Sequence, residues 1–136
     1  MGRHELREQI FLLLFCAEFH DVKEMPRQAR LFLENTDTGI TQAESEMIET
    51  KASLVLSRIP EIDRLINDNT KGWDTTRMGK VELTTLRLAV YEMRFDEEIP
   101  TGVAINEAVE IAKKYGTENS GGFINGILGK IAELEE

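Results

Sequence analysis

The sequence predicts an all-α protein of about seven helices. Apolar residues recur at helical spacing in one segment after another, no segment sustains the two-residue alternation of a strand, and the breaks fall at Pro, Gly and capping residues. With 136 residues, 41% hydrophobic and 30% charged, the chain is long enough for one domain with a sizeable core. We read residues 1–136 as that domain, with an N-terminal subdomain of about 1–70 and a C-terminal one of about 73–136. The best internal boundary lies at 67–72.

The first helix is expected from Glu5 to Phe19. Leu6, Ile10, Leu13, Leu14 and Ala17 form one stripe, which Phe11, Leu12, Phe15 and Phe19 widen, so this helix should be buried on most sides. Met25 to Asn35 makes a shorter helix with Pro26 tolerated in its first turn, and residues 35–39 read as a loop. Thr41 and Glu44 have the spacing of a capping box, opening a third helix through Ile48, Ala52, Val55 and Ile59. Pro60 ends that helix or starts a fourth, which carries Ile62, Leu65 and Ile66. Leu83, Leu86, Val90 and Met93 set the stripe of a fifth helix from Val81 to Phe95, and Ile105, Ala108, Ala112 and Tyr115 that of a sixth. Gly116 is placed to end the sixth in the left-handed conformation. Ser120 then caps a seventh, with Phe123, Ile124, Ile127, Leu128 and Ile131 pointing inward.

Composition narrows the function classes. A net charge of −9 repels phosphate on average and argues against indiscriminate nucleic-acid binding. The charge is uneven: residues 31–69 hold eight acidic side chains against three basic ones, whereas Arg3 and Arg7 outnumber Glu5 in the first seven residues. The longest apolar run, Ile10 to Ala17, is far too short for a membrane span, and the N-terminus lacks the apolar stretch of a secretion signal. Cys16 is the single cysteine, sits in an apolar helix and reads as a buried, inert thiol. These features point to the cytoplasm. Catalytic readings are poor, because His4 and His20 belong to no metal motif, Cys16 has no base partner, and no phosphate-binding loop or nucleophile elbow is present. Neither catalysis nor a cofactor or metal is expected.

Binding features are more informative. Arg3 and Arg7, four residues apart, share a face at the start of the first helix, with His4 beside them. Lys113 and Lys114 close the sixth helix, where lysine also suits the helix dipole. Ser120-Gly121-Gly122-Phe123 opens the seventh helix with free backbone amides, two glycines that let an anion approach, and a ring that either stacks on an unpaired base or packs in the core. Asn106 and Asn125 interrupt apolar helical patterns; as buried amides they would hold the turn between Gly116 and Ser120 by hydrogen bonds.

The run Val103-Ala104-Ile105-Asn106-Glu107-Ala108-Val109-Glu110-Ile111-Ala112-Lys113, then Gly116, Ser120 and Phe123-Ile124-Asn125-Gly126-Ile127-Leu128, resembles the signature of the NusB family of bacterial transcription antitermination factors. Trp73, Arg77, Val81, Glu82, Leu86-Arg87, Ala89, Tyr91-Glu92 and Ile99-Pro100 extend the resemblance upstream. It implies two packed three-helix subdomains plus a helix, and a non-catalytic role. It also implies binding of single-stranded boxA RNA together with ribosomal protein S10 (NusE), joining of the elongating RNA polymerase, and suppression of termination, notably in ribosomal RNA operons. Carried onto this chain, the RNA contacts become Arg3, His4, Arg7, Arg77, Lys113, Ser120 and Phe123. The S10 face would include Glu82 and Asn119.

The chain departs from the family pattern where Glu5 and Leu6 interrupt the N-terminal arginines, where Leu12 replaces a common glutamine, where Gly122 precedes the phenylalanine, and where Glu133-Leu134-Glu135-Glu136 replaces a basic tail. Each missing cation removes a counterion-release contribution, so intrinsic RNA affinity should be low and dependence on S10 high. Two other classes remain open: a helical protein–protein module that binds no RNA, and a domain derived from an RNA methyltransferase, for which no cofactor-binding domain is seen.

Overall fold

A computed structural model describes residues 1–20, 23–34 and 39–134. Among these it contains seven α-helices and no strand: α1 (Arg3–Ala17), α2 (Met25–Glu34), α3 (Gln42–Ser57), α4 (Ile59–Asp68), α5 (Lys80–Phe95), α6 (Thr101–Tyr115) and α7 (Ser120–Glu133). The chain divides into two compact units, Met1–Ser57 and Arg58–Glu136. The division therefore falls before α4 rather than at 67–72, because α4 packs on α5 and α7. Residues 35–38 of the loop expected at 35–39, and the last two residues of the acidic tail, lie outside the described residues.

In the first unit α1 packs against α3 and α2. Ile10, Phe11, Leu13 and Leu14 of α1, Met25 and Ala29 of α2, and Ile48, Ala52 and Val55 of α3 are buried. The capping box forms as its spacing predicts: the Glu44 amide donates to Thr41 Oγ1 (3.1 Å) and the Thr41 amide to Glu44 Oε1 (3.0 Å). The first helix is as long as expected but begins and ends two residues earlier, and it is less buried than its pattern suggests. It stops at Ala17, so Phe19 lies beyond it and is 61% exposed, its ring edge-on to Phe15. Cys16 is half-buried rather than buried, and desolvation pushes its thiol pKa up, which keeps it protonated and unreactive.

In the second unit α5 is the hub, packing on α4, α6 and α7. Leu83 through Leu86 and Leu88 through Met93 are buried, so this helix is covered nearly all round. Pro60 sits in the first turn of α4, where its missing N–H costs nothing. Ala104, Ala108 and Ala112 give α6 a low-profile buried face at four-residue spacing. That face lets α7 approach closely and bury Ile124, Ile127, Leu128 and Ile131, each worth about 1.5–3 kcal/mol when fully buried.

One charged fork ties α4 to α5. Arg87 Nε and Nη2 donate to the two oxygens of Asp63 at 2.9 and 2.8 Å, with side chains 15% and 20% exposed. Partial burial and two-point geometry place this pair above an ordinary surface salt bridge. Arg87→Ala should lower stability by about 1–3 kcal/mol in urea melts, while the helical spectrum of the folded state is unchanged.

Candidate functional site

The start of α7 is built around one hydroxyl. Ser120 Oγ donates to Glu82 Oε1 of α5 at 2.9 Å and accepts from the Thr117 amide at 2.9 Å. With its own proton committed to the carboxylate, Ser120 is also the acceptor for the Thr117 hydroxyl, 3.2 Å away. The Ser120 amide in turn bonds the Thr117 carbonyl at 3.1 Å. Ser120 is thus the first residue of the helix and 2% exposed, not its cap; Asn119 occupies the cap position. Glu82 stands in the first turn of α5, where a carboxylate suits the helix dipole, and its second oxygen lies over Gly79.

This arrangement corrects three expectations. Asn106 and Asn125 are both exposed, so the turn after α6 is held by Ser120 and Thr117 rather than by buried amides. Their positions interrupt the apolar pattern because they lie on the outer faces of α6 and α7. Gly116 has φ −100° and is extended, not left-handed. Glycine is needed there for space: a Cβ would stand 2.7 Å from the Ala112 carbonyl oxygen and collide with Ser120 Oγ. Phe123 is half-exposed, so it is not a core residue.

Phe123 instead lines a cleft of about 410 Å³ together with Trp73, Met78, Gly79, Glu82, Thr117, Asn119 and Ser120. Four residues predicted for sites (Ser120, Phe123, Glu82 and Asn119) are therefore neighbours in one depression. Trp73, 56% exposed, is the wall that sequence reasoning missed as a site residue. It is carried on a braced loop. Gly72 turns the chain at φ +77°, a conformation that favours glycine. The Thr75 amide donates to Asn67 Oδ1 at 2.8 Å, and Asn67 Nδ2 donates to Thr75 Oγ1 at 3.4 Å. Asp74 Oδ1 accepts from the Thr76 hydroxyl and from the Thr76 amide at 3.0 Å, and the Thr76 hydroxyl with these amides holds the Asp74 carboxyl below the usual carboxylate range.

Two predicted cations belong to the same unit as the cleft. Arg77 is exposed and its Nη1 donates to the Gly72 carbonyl at 3.4 Å, beside Trp73. The Lys113 side chain lies along the buried Gly121, where a Cβ would meet its Cγ at 3.2 Å, and its ammonium is 3.9 Å from Glu110 in a solvent-exposed pair. Gly122 faces solvent with open space around it. The remaining predicted contacts belong to the first unit: Arg3 and His4 are exposed and Arg7 half-buried, with His4 Nε2 3.8 Å from Glu8 Oε2. No described helix is long and apolar enough to cross a membrane.

Gly116→Ala should cost about 1–3 kcal/mol in urea denaturation, since the backbone carbonyl of Ala112 cannot swing away as a side chain would. The Asp74 brace carries a pH signature. A folded pKa below the unfolded value stabilises above about pH 4 and fades as pH falls through the folded pKa. Thermal melts of Asp74→Ala should therefore show a lower Tm than the parent at pH 7, and the gap should shrink by pH 3.

The model of the NusB family matches residues 4–133 of this chain. A transcription antitermination protein NusB of Agathobacter rectalis is 48% identical over 132 residues, covering 97% of this chain and all of that protein. One from Acetivibrio thermocellus is 43% identical over 136 residues, covering 99% and 91%. Among solved structures, T. maritima NusB superposes with a TM-score of 0.83 at 36% identity, covering 98% of this chain and 92% of that one. NusB from a crystal structure of antitermination factors NusB and NusE in complex with double-stranded RNA superposes with a TM-score of 0.80 at 26% identity, covering 98% and 99%. The chain belongs to the NusB family of transcription antitermination proteins.

Proposed function

We propose that this chain is a non-catalytic antitermination factor that binds boxA-type single-stranded RNA together with ribosomal protein S10, and through that assembly joins the RNA polymerase elongation complex to suppress termination, notably in ribosomal RNA operons. The observation that carries this reading is the aromatic cleft at the start of α7, with Arg77 beside its Trp73 wall, in a chain whose net charge otherwise repels RNA. Binding rests on a few local cations for the phosphates and on exposed rings for the bases, the division of labour expected for single strands. Arg3, His4 and Arg7 add the second group of cations, on the other unit. S10 would meet the face that includes Glu82 and Asn119.

Two substitutions test the two kinds of contact. Arg3→Glu removes an exposed cation and should weaken boxA RNA binding. It should also lower the slope of log affinity against log salt by about 0.7 for each phosphate that is no longer neutralised. Phe123→Ala should cost about 1–3 kcal/mol of RNA binding with the salt slope unchanged. If neither the parent nor either variant binds RNA at low salt, even with S10 present, the chain is a protein–protein module instead.

A further inference from the structure

We propose that Trp73 is a second base-stacking surface, and that the cleft it shares with Phe123 is a subsite for one unpaired nucleobase. This rests on the RNA-binding reading above and names a residue and a ligand part within it. Trp73 is the only tryptophan in the chain and keeps 56% of its surface exposed, which has no folding benefit for so large a ring. It does not sit on a mobile tip. Gly72, the Asn67–Thr75 pair and the Asp74–Thr76 turn brace the residues on both sides, so the ring is presented without the ordering cost a floppy loop would carry on binding.

Charge selects the occupant. Among the described residues no Lys or Arg lines the cleft, and its one carboxylate, Glu82, is a further negative charge there, held through one oxygen by the Ser120 hydroxyl. The interior thus suits a neutral ring and not a phosphate. One cation stands beside the Trp73 wall: Arg77 donates to the carbonyl of Gly72, the residue before it. A nucleotide has that shape in charge, with a flat neutral base and an anionic backbone. The Asn119 amide supplies a donor and an acceptor at the rim for base edges, and Thr117 Oγ1 a further acceptor.

The single tryptophan makes the test site-specific. The full chain labelled with 5-fluorotryptophan gives one fluorine resonance, to be followed by NMR while a short single-stranded boxA-type RNA is added, first alone and then with S10. Stacking predicts a shifted resonance on RNA addition. Trp73→Ala should weaken RNA binding by about 5- to 100-fold, and Trp73→Phe should restore most of it. Retained helical spectra and melting temperature show that the exposed ring is not needed for folding. RNA binding that leaves the resonance unmoved, with Trp73→Ala binding like the parent, overturns this inference and leaves the RNA reading standing. A resonance that moves with S10 alone and not with RNA makes the cleft a protein dock and overturns it as well. Absence of RNA binding by the parent in the presence of S10 removes both proposals together.

Discussion

The Ser120 hydroxyl is the contact on which the site depends. It bonds Thr117 on one side and Glu82 on the other, so a single oxygen closes the turn between α6 and α7 and fastens the start of α7 to α5. Such a buried network is stable only when fully satisfied, and here the Ser120 and Thr117 protons all have acceptors. Gly116 is the condition for it, since any side chain there would occupy the space of that hydroxyl. The network sets where Phe123 emerges, three residues along the helix. It also holds one oxygen of the Glu82 carboxylate, which lines the neighbouring cleft.

On the proposed reading, electrostatics and stacking divide the task unevenly in this chain. A net charge of −9 works against every phosphate brought near, and the local cations are few and partly engaged: His4 lies near Glu8, and Lys113 near Glu110. The exposed Lys113–Glu110 pair is worth little to stability. What the cations lack in number must come from contacts that salt does not screen, which means ring stacking and a protein partner. That balance favours selectivity over raw affinity, because a weak electrostatic background binds incorrect RNA poorly too.

Elements with periodic cores were legible in the sequence, and so was the capping box, because burial and local hydrogen bonding repeat at fixed spacing. α5 shows this best: four residues at 3-4-3 spacing marked a helix that proved to be the hub of its unit. Positions decided by tertiary neighbours were not legible. Asn106 and Asn125 look buried from their flanking residues, yet each faces outward, since one residue of helix turns a side chain by about 100°. Gly116 carried the signal of a left-handed cap, but its reason is a side chain four residues away. The exposure of Trp73 at the cleft had no periodic signature at all. The only hint was a lone tryptophan set among turn-forming residues, Gly72, Asp74, Thr75 and Thr76.

The placement of Glu82 and Asn119 beside Ser120 and Phe123 joins what the residues alone had kept apart. Residues proposed for the protein partner and residues proposed for RNA line the same cleft. A partner group that draws on the Glu82 carboxylate must share it with the Ser120 hydroxyl, and so acts on the turn that positions Phe123. Two ligands that both act on one braced turn are coupled through it, and by linkage the effect is equal in both directions. For a chain with so few cations, that coupling gives a physical route by which a protein partner raises RNA affinity without adding a single positive charge.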